Sequence, residues 1–248
     1  MILNTIGRSH VPSRERVKMD LFEAITNGGI KRDVAISERA LSEMLGVSRT
    51  PIREALQELA REGVVEIHPS RGAFIKPITA KDLQNLYEMR LNLECIAAFR
   101  AARLGDHRAI LELAPILDAP EDFDDASILE KELANSEAFH LSIFKAADND
   151  LLLMMYEKLL LKVRMSREMS KVYVKDRITQ ARQEHRMIFD AIIRRDADEA
   201  RNLMYSHLLK GFDLRMQVFV TIPEQPIVVL AADNRSQPGS HAPSEKSS

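Results

Sequence analysis

The stretch "GVSRTPIREALQELAREGVVEIHPSRGAFI", residues 46–75, determines the predicted fold of the N-terminal part of the chain. A short Gly-Val-Ser break precedes a helix that Ser48 can cap and whose first turn tolerates Pro51. Apolar residues recur at helical spacing from Ile52 to Leu59 and predict one buried face. Two β-prone arms around a Pro-Ser-Arg-Gly turn then predict a hairpin directly after this helix.

Two more helices are predicted before this stretch. Apolar residues at helical spacing indicate a helix over roughly 14–27, and "NGG" ends it. Ser37 can cap the next helix, which Gly46 ends. Three short helices followed by a hairpin is the order of a winged helix-turn-helix, and "LGVS" is the short glycine-containing turn which that motif requires. We therefore predict a winged helix-turn-helix DNA-binding domain over 13–78.

From about Thr79 the pattern changes to long amphipathic helices without further strand signals. These helices predict a mainly α chain, in which an all-α six-helix bundle over 79–219 follows the winged helix-turn-helix. We expect a flexible arm at 1–12 and a disordered, Pro- and Ser-rich tail at 220–248. The six helices are predicted near 79–104, 107–118, 125–148, 150–173, 176–195 and 197–219.

Composition narrows the class of protein. Cys95 is the single cysteine, which excludes a disulfide within the chain. The sequence has no signal-peptide pattern and no apolar run near the roughly 20 residues that span a bilayer. We therefore expect a cytoplasmic protein without a membrane partner. The formal net charge of −2 neither favours nor excludes nucleic-acid binding, so that question depends on where the charges point.

The third predicted helix directs its polar residues away from the core. With the apolar stripe inward, Arg49, Thr50 and Arg53 point outward from the N-terminal half of this helix. That half enters the DNA major groove in such motifs, where arginine can bind guanine bidentately with about 1–3 kcal/mol of discrimination. The alternative is an ordinary solvated helix with Arg53 paired to Glu54 or Glu58. The order of the surrounding elements favours DNA binding.

Other polar residues of this region suit contacts with the DNA backbone. The hydroxyl groups of Ser48 and Thr50, together with the helix N-terminus, can bind phosphate oxygens. Arg39 on the second helix would lie against the phosphates. Arg71 at the tip of the hairpin could reach the adjacent minor groove.

Three histidines of the predicted bundle, His140, His185 and His207, lie on separate helices among apolar residues at helical spacing. Each should therefore face the interior, and imidazoles that converge from facing helices can bind Zn, Ni, Fe or Mn. The alternative for each histidine is a core residue that is hydrogen-bonded to the backbone. Arg90 and Glu94, one turn apart, are most simply an intrahelical salt bridge.

The segment "SERALSEMLGVSRTPIREALQELAREGVVEIHPSRGAFI" resembles the winged helix-turn-helix of GntR-type transcriptional regulators. The helical segment after it resembles the FCD effector domain of the fatty-acid-regulator (FadR) subfamily, so that the resemblance covers about 14–217. It implies a homodimeric regulator, with repression as the expected outcome, that reads a short pseudo-palindromic DNA operator and responds to a small carboxylate metabolite. By position, the DNA contacts would be Arg39, Ser48, Arg49, Thr50, Arg53, Ser70, Arg71 and Gly72.

The resemblance also implies a metal site, with one departure. In the FCD domain the ligands are an Asp-x-x-x-His pair and two later histidines, and His140, His185 and His207 match the histidines. Ser136 stands where the aspartate is expected, and serine is a poor ligand for a divalent ion. Either a water held by Ser136 completes the shell, or a metal such as Zn or Ni binds weakly, or the effector binds without metal.

An inward-facing arginine at Arg90 is also implied, as a clamp for the effector carboxylate, with Arg164 as a weaker candidate. The predicted effector site thus comprises Arg90, Ser136, His140, His185 and His207. A second departure is "IKRDVAIS", which replaces the usual Pro-Gly turn before the second helix. The alternative function is a metal-dependent hydrolase, but the chain has no His-Glu-x-x-His pattern and no nucleophile motif, so we predict that it is not an enzyme.

Overall fold

The structure is a computed structural model that describes residues 14–26, 28–31, 34–105, 108–112, 114–117, 126–168 and 174–221. The predicted arm at 1–12 and nearly all of the predicted tail at 220–248 lie outside these residues.

The N-terminal elements follow the predicted order of a winged helix-turn-helix, three helices and then an antiparallel hairpin. The strands pair from Val65 opposite Ile75 to His68 opposite Gly72. Ile36 forms an isolated bridge to Ala73, which joins the segment before the second helix to the hairpin. The bounds are α1 Arg14–Thr26, α2 Glu38–Leu45, α3 Arg49–Arg61, β1 Val65–His68 and β2 Gly72–Ile75.

Capping residues set the ends of α2 and the start of α3. The Ser37 hydroxyl accepts a hydrogen bond from the Ala40 amide, and Gly46 takes the left-handed conformation with φ of 65°. Ser48 is the residue at the N-cap of α3, as predicted, but its side chain makes no capping hydrogen bond. Its hydroxyl therefore contributes nothing to α3 in this conformation.

Every described secondary-structure element of the C-terminal part is a helix, which confirms the predicted mainly α class. A capping box between Thr79 and Asp82 starts the long helix α4. Two of the six predicted helices are divided in the structure, one near 107–118 and one over 150–173. The bounds are α4 Ala80–Leu104, α5 Arg108–Leu111, α6 Ala114–Leu117, α7 Ala126–Ala146, α8 Asp150–Glu157, α9 Leu160–Glu168, α10 Val174–Ile193 and α11 Ala197–Thr221.

The break between α8 and α9 has a packing reason. Leu152 and Tyr156 of α8 are buried in the core of the helical part. Leu161 and Met165 of α9 are buried in the N-terminal core. The turn at Lys158–Leu159, where the Leu159 amide donates to the Tyr156 carbonyl at 2.8 Å, lets the two short helices face different cores.

Two apolar cores organise the described residues. Apart from Leu161 and Met165, every buried member of the N-terminal core lies between Val17 and Ile75. The second core draws on α4, α5, α7, α8, α10 and α11. Among the described helices, none combines the length and the apolar character needed to cross a bilayer.

Gly105 fixes how α4 meets α7. A Cβ at this position would collide with the carbonyl oxygens of Ala101 and Ala146, which are backbone atoms that cannot turn aside. Ala146 ends α7, the helix that carries His140. This close approach therefore helps to set where His140 lies relative to α4.

Candidate DNA-binding surface and effector cavity

The outer face of α3 carries the residues that the sequence assigned to it. Arg49, Thr50 and Arg53 are exposed. On the opposite face the four apolar residues of the stripe are at most 3% exposed. The helix is therefore held by its apolar side, and its polar side is available to a partner. The buried residues are Ile52, Ala55, Leu56 and Leu59.

Arg53 is paired, but with neither Glu54 nor Glu58. Its guanidinium donates from Nε to Glu38 Oε1 at 3.1 Å and from Nη2 to Oε2 at 2.7 Å. These hydrogen bonds lower the pKa of Glu38, so the carboxylate is charged at neutral pH. Since Glu38 is the first residue of α2, the pair joins α2 to α3 and fixes the orientation of the Arg53 guanidinium.

The remaining predicted DNA contacts also lie on the surface. Arg39 is 74% exposed in its side chain, with Nε 3.7 Å from Glu43. At the tip of the hairpin Ser70, Arg71 and Gly72 are exposed. The Arg71 guanidinium lies 5.8 Å from the centroid of the Phe74 ring. All eight predicted DNA contacts are thus exposed residues of α2, of α3 with its N-cap, and of the hairpin tip including the start of β2.

The three predicted histidines meet in the helical part. His140 of α7, His185 of α10 and His207 of α11 are buried, and a ligand atom from each lies within 4.8 Å of the others. The Nε2 atoms of His185 and His207 are 3.3 Å apart. The prediction that the imidazoles converge from separate helices is correct as geometry.

Two carboxylates, the buried Glu94 and the half-buried Glu184, lie behind this histidine cluster. Glu94 Oε2 is 2.6 Å from His140 Nδ1, and Glu184 Oε2 accepts from His207 Nδ1 at 2.7 Å. Each contact leaves Nε2 of that imidazole for the cluster. A carboxylate on the second nitrogen is the usual support of a metal-binding histidine, because it fixes the tautomer and the ring orientation.

Arg90 and Glu94 form a buried network and not a solvated salt bridge. Arg90 Nε donates to Glu94 Oε1 at 2.6 Å, and their side chains are 4% and 0% exposed. Burial opposes the charge on Glu94, but the Arg90 guanidinium and His140 lower the pKa of Glu94 to about 2. The predicted intrahelical salt bridge is therefore present but buried, and Arg90 faces inward as the resemblance implied.

The histidine cluster suits a divalent transition metal. Burial lowers the pKa of His185 well below its usual value, and the two adjacent imidazoles add to this effect. Burial also lowers the pKa of His207 to about 3, although the hydrogen bond to Glu184 opposes it. All three imidazoles are thus neutral at pH 7, as metal ligands must be. Zn–N bonds of about 2.0–2.1 Å in tetrahedral geometry place two nitrogens about 3.3 Å apart, as found for His185 and His207.

Ser136 leaves the histidine cluster without the carboxylate that an aspartate at this position would supply. Its hydroxyl accepts from Arg167 Nη2 at 3.5 Å. The neighbouring Glu137 binds both Nε and Nη2 of Arg164, so its carboxylate is engaged away from the histidines. The same pairing engages Arg164, the weaker candidate for an effector contact.

A cavity of about 100 Å³ adjoins the histidine cluster. Its wall includes Arg90 and Ser136, as predicted, and four arginines that the sequence analysis missed. A periodic signal could have identified Arg215, because His207, Gly211 and Arg215 lie at intervals of four residues along α11. Glu184, also missed, directly precedes His185 in "RQEHR". The four additional arginines are Arg167, Arg177, Arg182 and Arg215.

The electrostatics of the cavity favour an anion. Arg177 binds Glu184 Oε2 at 2.8 Å, while its buried Nη1 has no hydrogen-bond partner among the residues that the structure describes. Arg215 donates to two backbone carbonyls, those of Ser166 at 3.1 Å and Gly211 at 2.8 Å. Burial lowers the pKa of Arg215 to about 10, and the neighbouring positive charges of three cavity arginines contribute.

Comparison with known proteins finds a matching family model for each of the two parts of the chain. A family model described as the FCD domain matches residues 85–210, and one described as bacterial regulatory proteins of the gntR family matches residues 13–75. The chain is 29% identical over 197 residues to the HTH-type transcriptional repressor RspR of Escherichia coli K12, which covers 79% of this chain and 86% of that protein. It is 28% identical over 221 residues to the Uxu operon regulator of Haemophilus influenzae, with 83% and 81% coverage.

A solved structure shares the fold. E. coli McbR/YncC superposes with a TM-score of 0.69 at 19% identity, over 84% of this chain and 99% of that one.

Proposed function

We propose that this chain, which belongs to the gntR family of bacterial regulatory proteins and carries an FCD domain, is a homodimeric repressor that a small carboxylate releases from its operator. It is a DNA-binding transcriptional regulator and not an enzyme. The effector, the metal, the operator and the dimer are our proposals.

The observation that carries the proposal is the placement of arginines in two environments. On the winged helix-turn-helix they are exposed around the N-terminal half of α3, the part that can enter a major groove. In the helical part they surround a buried cavity next to three neutral imidazoles. The first arrangement suits the edges of bases and the phosphates of DNA, and the second suits a small buried anion.

For DNA reading, Arg49 and Arg53 would bind guanine edges, while Thr50, Ser48 and Arg39 would bind phosphates. The unused Ser48 hydroxyl is consistent with that role, because it makes no capping bond within α3. Arg71, at the tip of the hairpin, would reach the minor groove. A homodimer would place two such modules on the half-sites of a pseudo-palindrome.

For effector binding, His140, His185 and His207 would hold a divalent transition metal such as Zn or Ni. Bound there, the metal would act as a Lewis acid for a carboxylate oxygen of the effector. Arg90 and the other cavity arginines would bind the remaining anionic oxygens, and Ser136 would line the site without ligating the metal. The hydrolase alternative has no support, since Glu94 and Glu184 are engaged with His140 and His207 and are not available as general bases.

Operator selection tests the DNA half of the proposal. Duplexes selected from a random pool by the chain should be pseudo-palindromic, and their affinity should fall steeply with salt. The expected slope is about 0.9 in log K per log salt for each phosphate that the protein neutralises. Failure to select any sequence would contradict operator reading.

Titration of that complex tests the effector half. Lactate, succinate and gluconate, with Zn²⁺ present and absent, represent hydroxy acids, dicarboxylates and sugar acids. A true effector should lower operator affinity by about 5–150-fold, the usual range of allosteric coupling. A carboxylate that binds the cavity by calorimetry but leaves operator affinity unchanged would overturn the repressor switch.

A further inference from the structure

Helix α9 lies between the N-terminal core and the effector cavity. Leu161 and Met165 of α9 are the residues from outside 17–75 that are buried in the N-terminal core. Lys162 approaches the same module, because its Cε lies 3.8 Å from the position that a Cβ of Gly63 would take. Displacement of α9 would therefore disturb the packing beneath the DNA-binding helices.

The opposite side of α9 reaches the effector cavity. Arg167 of α9 lines the cavity, and Ser166 beside it is fully buried. The Ser166 carbonyl accepts the Nε–H of Arg215, a cavity arginine on α11, at 3.1 Å. A hydrogen bond from an arginine side chain to a backbone carbonyl thus links the cavity wall to the helix that enters the N-terminal core.

Arg215 is held in this position by weak partners. Its hydrogen bonds go to neutral carbonyl oxygens, those of Ser166 and Gly211, and the positive charges of three other cavity arginines disfavour its own charge. A buried cation is costly unless a counter-charge compensates it. A carboxylate that entered the cavity would offer a stronger, charge-assisted and bidentate partner. An anionic ligand should therefore compete with the Ser166 carbonyl for Arg215.

Gly211 gives Arg215 the space that this exchange requires. A Cβ at Gly211 would lie 3.3 Å from Arg215 Nη1 and 3.2 Å from the Tyr87 hydroxyl. The glycine therefore leaves room for the guanidinium to lie across α11 beside Tyr87, whose ring centroid is 6.0 Å away.

From this geometry we infer that Arg215 is an anion switch and α9 is its relay, an inference that rests on the proposed function. Without ligand, Arg215 binds the Ser166 carbonyl and holds α9 in the position seen here. With ligand, Arg215 turns to the anionic group, the Ser166 carbonyl loses its donor, and α9 shifts. Leu161 and Met165 carry that shift into the N-terminal core and change how α3 is presented to DNA.

The switch meets the thermodynamic condition for coupling. A ligand changes an equilibrium only if it interacts differently with the two states. Here the difference is the partner of Arg215, a backbone carbonyl in one state and a carboxylate in the other. Because packed cores accommodate a displaced helix by repacking and do not deform continuously, a small shift of α9 can produce a distinct second arrangement.

The experiment requires no identified effector. Arg215→Met removes the donor to Ser166 at similar side-chain volume and should imitate the liganded state. We expect its affinity for the duplex selected by the wild-type chain to fall by about fivefold or more. Arg201→Met is the matched control, because Arg201 lies on the same helix but is exposed and paired with Asp198. It should bind as the wild type does.

A second pair of variants tests the relay. With Leu161→Ala as the background, Arg215→Met should change operator affinity by less than about twofold, because α9 is uncoupled from the N-terminal core. With Leu152→Ala as the background, which damages the other core, the full effect should persist. Met165→Ala replaces Leu161→Ala if that variant does not fold, and Arg215→Lys replaces Arg215→Met with a smaller effect in the same direction.

The outcomes separate the inference from the function on which it rests. If the wild-type chain selects no duplex, the proposed function fails, and the switch fails with it. If the wild type binds its operator and folded Arg215→Met binds equally well, with unchanged amide exchange over 14–75, the switch is overturned while the regulator stands. Equal effects of Arg215→Met in both alanine backgrounds would overturn the relay through α9.

Discussion

The two cores of this chain treat charge in opposite ways. Among the described residues, the buried side chains of the N-terminal core are all apolar, and the arginines of α2, α3 and the hairpin turn face outward. In the helical part the buried set includes charged residues and imidazoles from Arg90 to His207. The first region keeps its charges in water, while the second places them in a cavity at an energetic cost.

This difference separates the region that would bind DNA from the region that would bind the effector. A module with an apolar core can lose an exposed arginine and keep its fold, so its variants should lose DNA discrimination alone. A buried network of arginine, glutamate and histidine stabilises the fold only when each member is paired. Variants in the helical part should therefore change ligand binding and stability together.

The largest expected effect is that of His185→Ala on metal content. Loss of a direct ligand should reduce affinity for Zn²⁺ by more than the roughly 10–100-fold typical of a supporting residue. Elemental analysis of untagged protein purified without chelator, followed by Zn²⁺ titration, would measure it. His68→Ala is the control, because His68 lies on the hairpin beside Glu66. Equal metal content in wild type and His185→Ala would show that the histidine cluster is not the metal site.

Acid should destabilise the helical part before the N-terminal module. Because the pKa of His207 falls from 6.5 in the unfolded chain to about 3 in the fold, the unfolded state binds more protons between these values. The stability is therefore complete above pH 6.5 and declines as the pH falls toward 3, by on the order of 5 kcal/mol.

Amide exchange measured from pH 7 to pH 5 on metal-free protein would follow this decline. Glu94 and Glu184, each with a pKa of about 2, remain ionised over that range and do not contribute. His207→Gln should reduce the dependence in the helical part, to which His140 and His185 also contribute, and leave residues 14–61 as in the wild type. An unchanged pH profile in that variant would contradict the assignment to His207.

Arg49→Ala should have an intermediate effect, confined to DNA. Loss of one bidentate base contact costs about 1–3 kcal/mol, or roughly 5–150-fold in discrimination between the selected operator and a shuffled duplex. Metal content and thermal stability should remain as in the wild type, because Arg49 is exposed. Arg61→Ala, at the other end of α3, is the matched control. Unchanged discrimination by Arg49→Ala would remove this residue from the groove contacts.

The same contrast explains which features could be predicted from the sequence. The N-terminal elements follow local rules, such as the Ser37 cap, the left-handed Gly46 and the apolar stripe of α3, so their order and bounds were predicted closely. In the helical part, periodicity identified the inward faces of His140 and His207. It could not show which core each face meets, and the apolar face of α9 meets the core of the other region.

Residues of the candidate site were missed for a related reason. The spacing of Arg90 and Glu94 predicted their salt bridge, but the rule that charged side chains lie in water gave no sign that the pair is buried. The apolar periodicity that marks a buried position does not include Arg167, Arg177 or Arg215. Their burial depends on the carbonyls and carboxylates of other helices, which are distant in the sequence, as with Arg215 and Ser166.

The smallest expected effect is that of Glu38→Gln, and it shows whether the ion pair with Glu38 helps or hinders the binding of DNA by Arg53. Glu38 holds Arg53 bidentately, and exposed pairs of this kind contribute at most about 1 kcal/mol to stability. The amide keeps one acceptor but loses the charge, so Arg53 should become mobile and discrimination should fall a few-fold. Affinity for shuffled duplex should rise slightly, because a negative charge near the phosphates is removed. Glu43→Gln, whose partner Arg39 is 3.7 Å away, should share that rise without the loss of discrimination. If Glu38→Gln instead improves discrimination, Glu38 competes with DNA for Arg53, and the outer face of α3 must break an ion pair before it can bind its operator.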